Sequence, residues 1–241
     1  MIKNERLDSI MEILKHDKYS TPNELAKKLY VSAVTIRRDL KKLENDGLVS
    51  TCYGGVSVVT HSNRDVPLAI RENFNENIKM SLAKNAAKLI TNGSTVFLDA
   101  SSTASFVANF IEPEQDITVI TNGIKALTIL SQKHIKAYCT GGKLINNSLA
   151  FTGAIALKTI KSMYADFMFF SSQGLNLNGK ITDFSESETE LRIAMLEHSE
   201  QKYFMCDNSK IGKTFLFEVC DTDSLSGVIC DTELSGMISH E

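Results

Sequence analysis

The residues best suited to ligand chemistry form a run of small polar side chains, Asp99-Ala100-Ser101-Ser102-Thr103, directly after an apolar strand predicted at 95–99. Small residues let the backbone approach a ligand, and the three hydroxyls add hydrogen-bond donors. A helix is predicted to follow, and a helix N-terminus favours an anion by about 0.3–2 kcal/mol. The run therefore predicts a phosphate site, although a Ser/Thr-rich turn of this kind also serves simply as a helix cap.

Later strands end in similar residues. These ends read Thr121-Asn122-Gly123, Thr140-Gly141-Gly142 and Asp207-Asn208-Ser209-Lys210. In open α/β sheets, ligands bind beyond the carboxyl ends of the strands, so we expect the three ends to converge with residues 99–103. Lys210 would supply a cation for the same phosphate. Each run taken alone is also compatible with an ordinary turn.

A second set of reactive residues is basic: Arg37, Arg38, Lys41 and Lys42 occupy four of six successive positions. The whole chain has a formal charge of −3, yet residues 1–60 hold ten Lys or Arg against eight Asp or Glu. Arginine can donate two hydrogen bonds to a guanine edge or to a phosphate. A basic cluster is often only a solvated helix face, and the elements around this one favour DNA binding.

Two predicted helices, preceded by an amphipathic helix at 4–16, position the basic cluster. The first of the two begins at Thr21, the predicted N-cap, with Pro22 in the first helical position and Glu24 closing a capping box. The other has Ser32 as its N-cap and spans 33–45. Two short helices joined by a tight turn form a helix-turn-helix, whose second helix enters the major groove of DNA.

The rest of this region predicts a core and a wing. Val34, Ile36, Leu40 and Leu43 are available for the core, and strands at 48–51 and 56–59 flank turn residues Gly54-Gly55. The predicted DNA-contacting residues are Thr21, Ser32, Ala33, Val34, Thr35, Arg37, Arg38 and Lys41.

The remainder of the chain alternates short apolar strands with helical patterns, which indicates a mostly parallel sheet. Strands are predicted at 95–99, 117–121, 135–141, 165–172, 201–206 and 227–230, and helices near 103–110, 123–131, 155–163 and 187–198. The predicted fold class is α/β. A small winged helix-turn-helix (1–60) is followed by a linker (61–76) and a larger, Rossmann-like domain (77–241).

Several classes of function lack their sequence signatures. The five cysteines form an odd set without a C-x-x-C pair, and the five histidines lack metal-ligand spacing, so we expect neither disulfides, metal nor cofactor. No apolar run reaches the ~20 residues of a membrane span, and the N-terminus lacks the apolar core of a signal peptide. These features predict a cytoplasmic protein that does not enter a membrane.

The string Val31-Ser32-Ala33-Val34-Thr35-Ile36-Arg37-Arg38-Asp39-Leu40 closely resembles the signature of the DeoR family of bacterial sugar-metabolism repressors. The runs Leu98-Asp99-Ala100-x-x-Thr103, Thr121-Asn122 and Asp207-x-Ser209-Lys210 resemble the sensor domain of that family, which is related to ribose-5-phosphate isomerase and glucosamine-6-phosphate deaminase. The resemblance implies a homo-oligomeric repressor, a dimer or tetramer, that binds double-stranded operator DNA and responds to a phosphorylated sugar.

The resemblance also implies an effector pocket. Its residues would be Asp99, Ser101, Ser102, Thr103, Thr121, Asn122, Gly141, Gly142, Gln173 and Lys210. The related isomerase carries its acids in an Asp-Gly-Ala-Asp-Glu motif, whereas the same stretch here reads Phe170-Ser171-Ser172-Gln173-Gly174. Phe and Gln cannot take up a proton, so we predict no catalytic residues. The alternative is an isomerase-like enzyme with an appended DNA-binding domain. Asp183 and Glu188 are the acids that remain nearby, and we interpret each as a sugar-hydroxyl contact or a helix-start carboxylate.

Overall fold

The computed structural model describes residues 3–17, 19–45, 48–52, 55–58 and 68–232. The chain divides into two compact units, Met1–Phe74 and Asn75–Glu241. Within the described ranges, every helix is too short or too polar to cross a membrane. Gly47, Gly54 and residues 61–67 of the predicted linker lie outside the described residues.

The first unit contains three helices and a two-stranded antiparallel hairpin. The elements are α1 (Lys3–Asp17), α2 (Pro22–Leu29), α3 (Ala33–Asn45), β1 (Val49–Cys52) and β2 (Gly55–Val58). Ser20 extends the hairpin, because its backbone exchanges hydrogen bonds of 3.0 and 2.8 Å with Val56. The core of the unit comprises Ile10, Leu14, Leu25, Ala26, Ile36, Leu40, Leu43, Val49 and Val56.

Both predicted helix starts in this unit are confirmed. The hydroxyl of Thr21 accepts the Glu24 amide, and the Glu24 carboxylate accepts the Thr21 amide, which is a complete capping box. Tyr30 then takes a left-handed conformation and ends α2. The Ser32 hydroxyl accepts the Thr35 amide at 3.2 Å and so caps α3. One core prediction was wrong: Val34 is 73% exposed.

Helix α4 (Leu68–Asn73) lies within the stretch predicted as a linker. Its first residue, Leu68, is buried. The boundary between the two compact units falls just after this helix, between Phe74 and Asn75. The second unit then opens with α5 (Glu76–Ala87).

The second unit is built on a six-stranded sheet in which every neighbouring pair is parallel. Its strands are β3 (Thr95–Leu98), β4 (Thr118–Thr121), β5 (Lys136–Cys139), β8 (Ala165–Phe170), β11 (Ser199–Cys206) and β13 (Gly227–Cys230). All six correspond to the predicted strands. Their order across the sheet is β13-β11-β8-β3-β4-β5, which is the Rossmann order. The predicted fold class is confirmed.

Helices cover both faces of the sheet because side chains along each strand alternate between them. Val96 and Leu98 pack into one core, whereas Phe97 between them packs into the other. The helices are α5, α6 (Ser102–Ser105), α7 (Ile124–Gln132), α8 (Ala154–Lys161) and α9 (Glu186–Glu197). The four predicted helices near 103, 123, 155 and 187 correspond to α6–α9, the first of them continuing as a 3-10 helix over Phe106–Phe110.

Two small antiparallel sheets were not predicted. One pairs β6 (Lys143–Ile145) with β7 (Ala150–Thr152), and the other has the order β12-β10-β9. The strands of the second are β9 (Gly174–Leu175), β10 (Lys180–Asp183) and β12 (Phe217–Asp221).

Candidate functional site

The start of α3 presents the predicted DNA-binding residues to solvent. Arg37, Arg38 and Lys41 are exposed, and Val34 lies exposed beside them. The hydroxyls of Ser32 and Thr35 lie 2.9 Å apart at the first turn of this helix. Ala33 and Thr35 are partly exposed, and the Thr21 hydroxyl is engaged in the cap of α2. This surface combines fixed cations, hydroxyls and one apolar side chain, which suits phosphate and base contacts in a major groove.

Two residues near this surface were not singled out from the sequence. Tyr30 is 94% exposed in the turn between α2 and α3 and was not predicted as a contact. Asp39, which lies inside the basic run, is buried, and its Oδ2 accepts a 2.6 Å hydrogen bond from Arg6 Nε of α1. This buried ion pair joins α1 to α3 and leaves the neighbouring cations exposed.

The second candidate site lies where the order of the strands across the sheet reverses. The chain runs outward through β3, β4 and β5, then crosses back to β8 on the other side of β3 and continues to β11 and β13. Ligands of such sheets bind at this switch point, beyond the carboxyl ends of the strands. Residues 99–103, 122–123, 140–142 and 207–210 all follow strands at this edge, Thr121 is the last residue of β4, and Gln173 lies three residues past β8.

A small, shallow polar cleft lies beside the end of β3. It brings together Asp99 and Asn122 of the predicted site. Its lining residues are Asp99, Ala100, Asn122, Glu188, Leu191, Arg192 and Met195. The last four belong to α9, and of these only Glu188 was predicted, as a sugar-hydroxyl contact or a helix-start carboxylate.

Arg192 lines this cleft and contacts three carboxylates around it. Its guanidinium, 4% exposed, donates to Asp99 Oδ2 at 2.8 Å and to Asp183 Oδ2 at 3.0 Å. Glu188 lies 3.6 Å away, one helical turn before it. Burial acts to lower the pKa of Arg192, but Asp183, Asp99 and Glu188 outweigh it and raise the pKa above its ordinary value. Arg192 therefore stays charged and neutralises buried carboxylates.

Asp99 connects this arginine to the predicted phosphate loop. Its Oδ1 accepts the Ser101 amide at 3.2 Å and the Ser101 hydroxyl at 2.5 Å. The same hydroxyl accepts the Ala104 amide at 3.2 Å and caps α6. Because α6 has only four residues, the loop offers an anion mainly hydroxyls and amides, with less help from a helix dipole than the sequence suggested.

Two predicted site residues hold buried polar atoms with no hydrogen-bond partner among the described residues. They are Oδ1 of Asn122 and Oγ1 of Thr103. Asn122 is 3% exposed, and its Nδ2 donates to the Phe151 carbonyl at 3.1 Å, which orients the amide. An unsatisfied buried polar group costs about 1–3 kcal/mol. A ligand hydroxyl in the cleft would remove this cost at Asn122.

Thr121, Gly141 and Gly142 have structural roles. Thr121 Oγ1 accepts the Gly123 amide at 3.0 Å. Gly141 and Gly142 both have positive φ, and a Cβ on Gly142 would lie 2.5 Å from the Thr152 carbonyl. Only glycine fits this close approach of β7 to the turn after β5.

Lys210 lies across the ends of β8 and β11. Its Nζ donates to Ser171 Oγ at 2.6 Å, and Ser171 Oγ donates to the Met205 carbonyl at 2.5 Å. Asp207, which begins the same turn, is 1% exposed. Burial acts to raise the pKa of Asp207, but Lys210, the Ser209 hydroxyl and Lys79 outweigh it and lower the pKa below its ordinary value.

Asp207 also reaches the beginning of the second unit. Its Oδ1 accepts a 3.2 Å hydrogen bond from Asn75 Nδ2. Asn75 has a left-handed backbone (φ 55°) and directly precedes α5. The turn that carries Lys210 is therefore tied to the residue at which the second unit starts.

Sequence comparisons match both parts of the chain. A profile described as a DeoR-like helix-turn-helix domain matches residues 6–62, and one described as the DeoR C terminal sensor domain matches residues 74–232. The chain is 33% identical to the uncharacterized HTH-type transcriptional regulator YulB of Bacillus subtilis over 97% of its length and 91% of that protein.

Two further relatives have names that state a regulatory role. An L-fucose operon activator of Haemophilus influenzae is 31% identical over 96% of this chain and 93% of its own. A lactose phosphotransferase system repressor of Staphylococcus aureus is 31% identical over 97% of this chain and 94% of its own.

Proposed function

The chain belongs to the DeoR family of DNA-binding transcriptional regulators, and we propose that it represses a carbohydrate operon and leaves its operator when a phosphorylated sugar binds. The sugar phosphate occupies the carboxyl ends of β3, β4, β8 and β11. The observation that carries this proposal is the polar cleft at the switch point, where Asn122 presents an unsatisfied buried acceptor.

The cleft suits the sugar part of the ligand. Asn122 Oδ1 accepts one sugar hydroxyl, and Glu188, partly exposed at the rim, accepts another. Asp99 is held by Arg192 and Ser101, so its role is to fix the loop rather than to contact the ligand with a free carboxylate.

The phosphate of the ligand lies next to the sugar, between the loop after β3 and the turn after β11. Ser102 and Thr103 provide hydroxyls after β3, and the Oγ1 of Thr103 has no partner among the described residues. Lys210 provides a charge-assisted donor from the end of β11. When a phosphate binds, we expect the Lys210 ammonium to exchange part of its contact with Ser171 for the anion.

The movement of Lys210 toward the phosphate also affects the start of the second unit, through Asp207. Asp207 is held by charge attraction to Lys210 and by the hydrogen bond from Asn75. A ligand that draws Lys210 away weakens the hold on Asp207 and so on Asn75, at the beginning of α5. Differential binding of this kind shifts the population between two states, and couplings of about 1–3 kcal/mol change affinity 5- to 150-fold.

DNA binding uses the exposed face of α3 in a homo-oligomer, a dimer or tetramer. A two-fold dimer reads half-sites about 34 Å, or a multiple of that distance, apart. The name of the lactose phosphotransferase system repressor supports repression, whereas the L-fucose operon activator shows that a relative works in the opposite sense. A protein that acts on operator DNA in a bacterium works in the cytoplasm.

A catalytic role is not part of this proposal. Asp183 accepts hydrogen bonds from the amides of Phe184 and Ser185, from the Ser172 hydroxyl and from Arg192. A carboxylate has about four lone-pair sites, and the two amides and Arg192 take three of those of Asp183. Asp183 is also only 2% exposed, so it is poorly placed to take up a substrate proton. Gln173 cannot supply a proton acceptor in its place.

The experiment uses the full chain. Selection from a random duplex library defines an operator, and fluorescence anisotropy then measures operator affinity with phosphorylated hexoses and pentoses, their parent sugars and inorganic phosphate. We expect one phosphorylated sugar to weaken operator binding 5- to 150-fold and its parent to leave it unchanged. Release by the parent sugar alone would refute the phosphate anchor, and tighter operator binding would refute the proposed sense of regulation.

A further inference from the structure

Two cysteines lie face to face at the same edge of the sheet. Cys206 is the last residue of β11 and Cys230 the last residue of β13, and the two are paired in parallel register. Their sulfur atoms are 3.6 Å apart. Cys206 is fully buried, and Cys230 is partly exposed. Reagents in solution therefore reach this pair through Cys230.

The spacing of the two strands permits a disulfide. Neighbouring strands lie about 4.8 Å apart, and disulfides join Cα atoms about 4.4–6.8 Å apart with sulfurs about 2.05 Å apart. Closing the pair needs the sulfurs to approach by about 1.5 Å, which side-chain rotation supplies. The hydrogen bond from Cys206, with a further one from the Thr232 amide, lowers the pKa of Cys230 to about 7 against the opposing effect of burial. Cys230 is thus the nucleophile of the pair.

We propose that Cys206 and Cys230 form a reversible disulfide when the protein meets a hydroperoxide, and that this disulfide rearranges the turn at 207–210. The Cys230 thiolate attacks one peroxide oxygen, the O–O bond breaks, and hydroxide leaves, which gives a sulfenic acid. The Cys206 sulfur then attacks the Cys230 sulfur. The S–S bond forms, the S–O bond breaks, and the leaving hydroxide takes the Cys206 proton as water. Two thiols lose two electrons in total, and hydrogen peroxide is reduced to two waters.

The rearrangement follows from the neighbours of the pair. Asp231, next to Cys230, accepts the Asn208 amide at 2.8 Å and so holds the turn that carries Lys210. Asp207, next to Cys206, begins that turn. Rotating the Cys230 side chain toward Cys206 removes the 3.6 Å contact of its sulfur with Asp231 Oδ1, the same atom that accepts the Asn208 amide, and so loosens the Asp231–Asn208 hydrogen bond. The assignment of this turn to an effector site rests on the proposed function. The disulfide and the rearrangement of the turn are independent of that function.

The test treats the full chain with hydrogen peroxide and maps linked peptides by mass spectrometry. Cleavage after Lys202 and Lys210 isolates Cys206, and cleavage at aspartate separates Cys220 from Cys230. We expect a Cys206–Cys230 peptide that dithiothreitol removes, both in the native chain and in Cys139→Ser, which loses an exposed thiol elsewhere. Cys230→Ser should give none. Amide exchange at 207–210 should become faster on oxidation in the native chain and stay unchanged in peroxide-treated Cys230→Ser.

The disulfide and the rearrangement of the turn at 207–210 can each be refuted separately. Absence of the linked peptide at peroxide concentrations that fully oxidise Cys139 would overturn the disulfide. A linked protein with unchanged exchange at 207–210 would overturn the rearrangement. Neither readout needs a sugar phosphate, so a failure here is distinct from a failure of the proposed function.

Discussion

Replacing Arg192 by Met should strongly destabilise the second unit. The substitution keeps an unbranched apolar stem but leaves Asp99 and Asp183, 3% and 2% exposed, without their counter-charge. Removing one partner of a buried ion pair costs about 3–5 kcal/mol. For a unit of this size each kcal/mol lowers the unfolding midpoint by about 2–4 °C, so we expect a fall of about 6–20 °C.

The assay is thermal unfolding followed by circular dichroism, with two controls. Lys180→Met removes an exposed lysine that bridges Glu218 and Asp221 on the same unit. Ion pairs at the surface contribute little to stability, so this midpoint should fall much less than that of Arg192→Met. Adding Asp99→Asn and Asp183→Asn to Arg192→Met should recover part of the loss, because the uncompensated charges disappear. Equal falls for Arg192→Met and Lys180→Met, or no recovery in the triple variant, would refute the reasoning.

Three further predictions concern binding. Arg37→Ala should weaken operator binding about 5- to 150-fold, because it removes one good base contact of about 1–3 kcal/mol. Sugar-phosphate binding measured by calorimetry should stay intact, and equal loss of both kinds of binding would contradict two separable sites. Ser102→Ala combined with Lys210→Ala should show no change in operator affinity, measured by anisotropy, when the effector is added, with affinity already lowered because Asp207 has lost its attraction to Lys210; normal effector-dependent release by this variant would show that the pocket is misplaced. Asn75→Ala should bind DNA and sugar phosphate separately but show a smaller effect of one on the other; undiminished coupling would exclude the route through Asp207.

The sequence predicted the central sheet well because its strands are short apolar runs between polar ends. The strand β9 was missed because it has only two residues, and β10 and β12 were missed because each mixes apolar with charged residues over four or five positions and so lacks this contrast. Val34 was misplaced for a different reason. Ile36, Leu40 and Leu43 follow one another at helical spacing, whereas Val34 precedes Ile36 by two positions and so points to the opposite face of α3.

The candidate site was predictable only where it follows the strands. Polar residues directly after β3, β4 and β11 are visible as local patterns. Arg192 is not, because its partner Asp99 lies 93 residues away and only the folded sheet brings the two together. The same holds for Cys206 and Cys230, which are 24 residues apart in sequence and adjacent in the sheet.

The most direct test of the central claim is the unfolding midpoint of the full chain measured against phosphorylated hexoses and pentoses and their parent sugars. A ligand at about one hundred times its Kd stabilises the folded state by about 2.7 kcal/mol, which raises the midpoint by about 5–10 °C for a unit of this size. We predict such a rise with one phosphorylated sugar, none with its parent, and none for Ser102→Ala combined with Lys210→Ala. Equal rises with sugar and sugar phosphate, or a full rise in the double variant, would contradict a phosphate-anchored sensor at this edge of the sheet.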